Sequence, residues 1–383
     1  MLARPLATVE APLSLVRLEH NEHGVVGRVA DHADGVVVAG RFDAPHWPLA
    51  EDQLQLPGIP LRGLEMRAEV LRQRLVHLLD PEPWRLVELA SHDDRSLGRT
   101  ARTIAADAVP IPLHAADCTD AVLSELVHAV ARMQAGAHWM IAPYFRFATM
   151  SDEWFAVNVR CLELAKKILG AGEFEAWIRV PLSFTTSGDA GAVAAKYAEQ
   201  LGRGGTVFLT VCDLSADLPQ DRIAAYLRTV QAFLAAGLVV VVDCASEVAL
   251  LAVAIGARGA ILGTRAYRTT GESAHWEAEY NPKIMLRYLV PGRLDRMSFA
   301  DAQRRTKRGT IPTCSNHDCK ALDLGADGVD KRVHNAHTFR DGLAHAADVG
   351  PAVLARELRA QKLKRLDAWA QALEEVMELS AEA

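Results

Sequence analysis

The stretch from Leu238 to Thr264, LVVVVDCASEVALLAVAIGARGAILGT, narrows the fold more than any other part of the chain. Leu238 to Val242 is apolar without alternation and ends in Asp243. An unbroken β-branched run suits a parallel strand buried on both faces. Glu247 to Ile255 has helical composition, and Gly256 with Gly259 closes it. Ala260 to Leu262 is a second apolar run, ended by Gly263-Thr264. Strand, helix and strand in this order form the right-handed crossover unit of an α/β protein. Asp243 then stands at the carboxyl end of its strand, where such folds collect their ligand-binding and reacting groups.

The same alternation extends through most of the chain. Short strand-like pieces are expected at Leu13–Leu18, Val25–Ala30 and Val36–Ala39. Further strands are expected at Arg85–Ala90, Val109–Leu113, Trp139–Tyr144, Ala176–Leu182 and Val207–Cys212. Helical spacing falls at Leu61–Leu79, Ala121–Met133, Glu153–Leu169, Gly191–Leu201 and Asp221–Ala236. Counting Val36–Ala39, eight strands with helices in most gaps over roughly 230 residues favour an α/β fold of the (β/α)8 TIM-barrel type over an open sheet. Residues 1–60 would be a β-rich decoration or carry the first barrel strand, and 61–264 the barrel body. Residues 265–350 form an insertion, and 351–383 hold one long helix from Pro351 to Leu379.

Composition trims the function classes. A chain of 383 residues, half of them hydrophobic, can bury a large core, and its net charge of -6 gives no global signal for nucleic acid. Six cysteines, four of them far apart in sequence, do not resemble a disulfide framework. No run approaches the ~18 apolar residues of a membrane span, and Met1 to Glu10 lacks a signal-peptide core. The expectation is a cytoplasmic protein with no membrane partner.

The strongest local signal is Cys314-x-x-His317-x-Cys319, followed by His334 and His337. Two thiolates and two imidazoles make a tetrahedral set for Zn2+, and four protein ligands would make the site structural. The expected set is Cys314, His317, Cys319 and His334, with His337 competing with His317 for the fourth place. Asp243 and Asp213 both follow strand candidates and are the candidate catalytic carboxylates; capping of the next helices is the plainer role for each. Asp189 follows another strand in a Ser-Gly-Asp turn. Gly263-Thr264 offers backbone N–H groups to a phosphate. Arg304, Arg305, Lys307 and Arg308, with Arg265 and Arg268, match a phosphate backbone or a solvated face equally well.

The order of these pieces resembles the tRNA-guanine transglycosylase family over roughly residues 137 to 350. In that family a late strand–helix–strand unit is followed by a zinc-bearing insertion with a Cys-x-Cys-x-x-Cys motif and a distant His-Asn-x-x-x-aromatic segment that opens a helix. Cys314 and Cys319 keep the outer spacing of that motif, and His334-Asn335-Ala336-His337-Thr338-Phe339 looks like its closing segment. AIGARGAILGTR is similar to the segment in which the family's nucleophilic Asp precedes Pro-Thr-Arg. The nucleophile's place falls here near Ile261 or Leu262, and Pro143-Tyr144-Phe145 stands where the family has a base-contacting Asp. The family's Gln-Gly-Gly reads Pro181-Leu182-Ser183, and Asp213 is the polar residue where Gly-Gly-Leu would fall.

The resemblance therefore implies a barrel with zinc that binds a 7-deazaguanine-type base and lacks the usual base-exchange residues. Tyr144, Arg146, Gly263 and Thr264 are its candidate ligand-binding residues. Its implied partners are nucleic acid or a co-encoded protein, in an oligomer or as a docking subunit. Divergent members accompany queuosine-pathway-like enzymes in antiviral gene clusters, which implies a defence role. Two rival readings use the same residues: a barrel enzyme acting on a phosphorylated small molecule, and a non-catalytic assembly subunit using 304–308 and the final helix as contact surfaces.

Overall fold

The computed structural model describes residues 12–18, 23–29, 31–39, 76–81, 87, 109, 113–244, 246–263, 269–270, 286–292, 295–316, 319–323 and 326–382. Among them, seven strands form one sheet: β1 (Leu13–Leu18), β2 (Gly35–Ala39), β3 (Val76–Asp80), β4 (Ala176–Pro181), β5 (Thr206–Cys212), β6 (Val239–Asp243) and β7 (Gly259–Gly263). Their order is β3-β2-β1-β7-β6-β5-β4, and every pairing is parallel. First and last strands are therefore neighbours, in register from Leu13–Gly259 to Arg17–Gly263. The two edges meet a common segment, because Trp139 bridges Leu78 of β3 while Ile141 bridges Glu175 beside β4. That arrangement is compatible with a (β/α) barrel-like fold.

Gly259 lets β1 and β7 meet. A Cβ there would lie 2.3 Å from the Leu13 carbonyl oxygen and 2.6 Å from its Cβ, so any side chain would force the two strands apart.

Strand parity separates two cores. Val16, Val36, Ile178, Leu209, Val242 and Leu262 face the helices and join the larger apolar cluster. Leu15, Val37, Leu78, Trp177, Phe208, Val241 and Ile261, one from each strand, join Trp139, Ile141 and Tyr144 in a second cluster on the opposite face. A period of two with both faces apolar accounts for the runs without alternation in β6 and β7.

The helices are α1 (His23–Val29), α2 (Asp120–Met133), α3 (Glu153–Ile168), α4 (Ala190–Leu201), α5 (Gln220–Ala235), α6 (Ser246–Ala254), α7 (Phe299–Lys307), α8 (Gly328–Ala360) and α9 (Lys364–Glu382). Thr119 and Asp152 cap α2 and α3 by accepting from Val122 N and Trp154 N. Trp139–Tyr144 forms isolated bridges at Trp139 and Ile141 and not the expected strand, and three more expectations change. Val25–Ala30 is not a strand: Val25, Val26 and Val29 are buried while Arg28 is exposed, a helical spacing realised in α1. The end of the helix expected at Leu61–Leu79 is β3, whose Leu78 and Asp80 both turn to the inner face, and residues 61–75 lie outside the described residues. The strands expected at Arg85–Ala90 and Val109–Leu113 lie almost wholly outside them.

The third change is at the end of the chain, where one helix over Pro351–Leu379 is replaced by two. Gly350, at φ 70°, kinks α8 before Pro351, and Lys362, at φ 54°, separates α8 from α9. Pro351 has no N–H to continue the ladder, so the break falls where the sequence removes a bond. α9 buries Leu366, Trp369, Leu373 and Val376. Trp369 Nε1 donates to the Ala216 carbonyl at 3.2 Å, and Arg228 pairs with Glu375 at 2.5 Å. The apolar face of α9 is thus covered by the protein's own α5 and α8.

Candidate functional site

α8 opens with a capping box: Asp330 N donates to Asp327 Oδ1 at 2.8 Å, and Asp330 Oδ2 accepts from Asp327 N. With the helix start fixed, the i, i+3 spacing puts His334 and His337 on one face. Cys314 and Cys319, on the loop after α7, meet them there. Among the described residues these four offer ligand atoms that all lie within 4.8 Å of one another. Cys314 Sγ is 3.3 Å from His337 Nε2, and Cys319 Sγ is 3.3 Å from His334 Nδ1. Tetrahedral bonds of ~2.3 Å to sulfur and ~2.0 Å to nitrogen put donors about 3.5 Å apart, so the donor set fits a tetrahedral metal. His317 lies outside the described residues, and His337 completes the group.

The rings are oriented from behind. His334 Nε2 donates to the Leu289 carbonyl at 2.9 Å, which turns Nδ1 toward the sulfurs. Tyr288 stacks on His334 with centroids 4.2 Å apart. Asn335 clamps the same strand, accepting from Leu289 N at 3.1 Å and donating to the Arg287 carbonyl at 2.8 Å. His334, Asn335 and His337 are all buried, so the segment 334–339 faces inward as a block.

The two thiols are shifted in opposite directions. The Cys314 thiol is pushed up by its hydrogen bond to Cys319 and by burial, and the same bond, with His334 and His337, holds the Cys319 thiol down. A cation there would displace the protons of the thiols it binds. His32, whose ring meets His337 edge-on at 5.6 Å, is held below its usual value by burial, then by His337 and Arg340.

A second polar constellation lies on the inner face of the sheet. Arg17 Nη1 pairs with Asp80 Oδ2 at 3.0 Å, and Nη2 pairs with Asp243 Oδ2 at 3.0 Å. Tyr144 Oη donates to Asp80 Oδ1 at 2.5 Å, and Thr210 Oγ1 donates to Asp243 Oδ2 at 3.0 Å. Trp177 Nε1 donates to Thr210 at 2.8 Å while its ring lies 5.3 Å beneath the Arg17 guanidinium. The two carboxylates differ. Asp80 accepts on both oxygens and its side chain is 5% exposed, whereas among the described residues Asp243 is bonded at Oδ2 and its side chain is 15% exposed.

The two sites are separate. The metal group sits against the turn from α1 to β2, where Arg340 Nη1 donates to the Asp31 carbonyl at 3.1 Å and Arg28 pairs with Asp330 at 2.6 Å. That turn precedes β2 and so lies at the strands' amino end, whereas Asp80 and Asp243 are the last residues of β3 and β6.

Asp243 therefore joins Arg17, Asp80 and Thr210. Asp213 is exposed at φ 63° and makes the left-handed turn out of β5. Asp189 accepts from Met150 N at 3.0 Å and precedes α4. Tyr144 is buried against Asp80, Arg146 is half-buried and bridges Arg179, and Gly263 ends β7 beside Arg17. Thr264 lies outside the described residues. Sequence reasoning missed Arg17 and Asp80, although Asp80 closes an apolar run as Asp243 does. A scan against protein-family models gives no match, and a search of curated proteins gives no significant one.

Proposed function

We propose that this chain is a zinc-holding (β/α)8 barrel of the transglycosylase-like type that binds a 7-deazaguanine-type base at the carboxyl ends of its strands. The convergence of Cys314, Cys319, His334 and His337, on a helix carrying His-Asn-x-x-x-Phe after the last strand, carries the reading. An S2N2 tetrahedral set favours zinc among the common metals. Closure of the sheet is supported by its cyclic order, by the segment bridging both edges and by an inner cluster drawn from every strand.

Four protein donors leave no open position on the metal, so its contribution is to hold the lobe after β7 together. Ligand recognition then falls to the inner polar layer. Arg17 and Thr210 occupy Asp243 Oδ2, which keeps the carboxylate oriented and leaves Oδ1 for a ligand donor. A guanine-type base offers two adjacent N–H donors to such an oxygen. Arg146 and Gly263 flank this layer, and nucleic acid or a modified protein partner is the source of the base. Ile261 and Leu262, at the place of the family's nucleophile, are buried in β7, which supports binding without the usual exchange chemistry.

Calorimetry with 7-aminomethyl-7-deazaguanine tests the reading. Asp243→Asn should bind at least about tenfold more weakly, a loss of ~1.4 kcal/mol, while still melting cooperatively and holding the same metal content, because Arg17 keeps its pair with Asp80. Equal affinity in both proteins, or none in the unaltered chain, would sink it.

A further inference from the structure

The metal group is not sealed on all sides. A cleft of about 210 Å3 runs between α1 and the metal-bearing loop, walled by Arg28, His32, Asn316 and Lys320, and Cys319 lines it. Cys314 does not. The remaining cysteines are poor competitors for a soluble reagent: Cys161, Cys212 and Cys244 are buried, and Cys118 is half-buried with its thiol pushed up to about 11, first by burial and then by Asp117 and Glu153. Cys314 and Cys319, with four residues between them, have their sulfurs within 4.8 Å, and a disulfide needs ~2.05 Å, a closure that rotation of the two side chains can supply.

We infer that Cys319 is an oxidation site reached through this cleft by a hydroperoxide, that Cys314 resolves it, and that the resulting disulfide releases the metal. The inference rests on the metal reading above. The Cys319 sulfur attacks one peroxide oxygen, the O–O bond breaks, and the departing hydroxide takes a proton to become water. Sulfur is oxidised to the sulfenic acid as the peroxide is reduced by two electrons. The Cys314 sulfur then attacks the sulfenic sulfur, the S–S bond forms, and the S–O bond breaks with loss of a second hydroxide, also protonated to water. Overall, two thiolates, one hydrogen peroxide and two protons give one disulfide and two waters. Two donors are lost at once, and His334 and His337 alone make a poor zinc site.

The test uses the full chain as purified, with its metal, and hydrogen peroxide as the probe. A chromogenic chelator follows metal release, dimedone traps sulfenic acid, and peptide mapping without reductant locates disulfides. Dimedone should mark Cys319 at least tenfold above Cys314. Without dimedone, a Cys314–Cys319 disulfide should form in step with metal release, and a dithiol plus zinc should reverse both. Preferential labelling of Cys314 or Cys118, or metal release without that disulfide, overturns the inference. Protein that carries no metal before peroxide is added defeats the metal reading instead. In that case the dimedone ratio and the disulfide still decide whether Cys319 is the oxidation site.

Discussion

On the zinc reading proposed above, Cys319→Ser should take the metal content from about one per chain to near zero. The serine hydroxyl is a far weaker zinc ligand than a thiolate, and the remaining Cys314, His334 and His337 leave the set one donor short. Structural zinc is worth on the order of 10–16 kcal/mol in small zinc-finger peptides, which exceeds what a short lobe can supply from apolar burial alone. The lobe's own apolar cluster is small: Tyr288, Val290, Ala302 and Ile311. Hydrogen exchange should therefore rise over residues 286–323 in the variant, while β4 to β6 keep their protection. A chelator added to the unaltered protein should give the same map.

The same site carries a pH dependence of known sign. Because the Cys314 thiol is pushed up by its bond to Cys319 and by burial, the metal must displace a proton that stays bound at neutral pH. Affinity should climb about tenfold per pH unit per proton released and fall as the solution is acidified. A competition titration at two pH values reads this directly. Unchanged zinc content in Cys319→Ser, or affinity independent of pH, would remove the proposed centre.

Arg17→Met is the second large effect. The guanidinium is 7% exposed and holds two carboxylates, themselves 5% and 15% exposed. Methionine fills much of the same volume and leaves both charges without their cation. Breaking a buried pair by removing one partner costs about 3–5 kcal/mol, and this one guanidinium pairs with two carboxylates. A fall in Tm on the order of 5–10 °C is expected. Arg17→Met/Asp80→Asn should recover about half of the loss, because one uncompensated charge has been removed with its hydrogen-bonding shape kept. Denaturant melts of the three proteins decide it, and a double variant no better than Arg17→Met would show that packing, not charge, ties Arg17 in place.

What could be read from residue order and what could not divides along physical lines. β5, β6 and β7 were legible because strands covered on both faces show as unbroken apolar runs. α2 and α3 were legible from apolar spacing, and the structure adds Thr119 and Asp152 as their caps. Misreadings came where two periods coincide. Val25 and Val26 look like a strand until Val29 is counted, and Leu71, Leu75 and Leu78 have helical spacing although Leu78 belongs to β3. Long-range pairing was the other blind spot. Arg17 meets Asp80 and Asp243 from 63 and 226 residues away, and the lone cation in LSLVRL was its only local sign. His337 reaches the cysteine pair through the helical i, i+3 step after His334, and His317 lies outside the described residues.

The adjacency of first and last strands also sets a timetable. Leu13 pairs with Gly259, so as the chain is made β1 waits for roughly 240 residues before its second neighbour exists. At ~5–20 residues per second that delay is about 12 to 50 seconds. Throughout it, one backbone edge of an apolar strand has no native partner, a ready template for pairing with other chains. In the cell, yield of this protein then depends on what shields that edge during synthesis as much as on how stable the finished fold is.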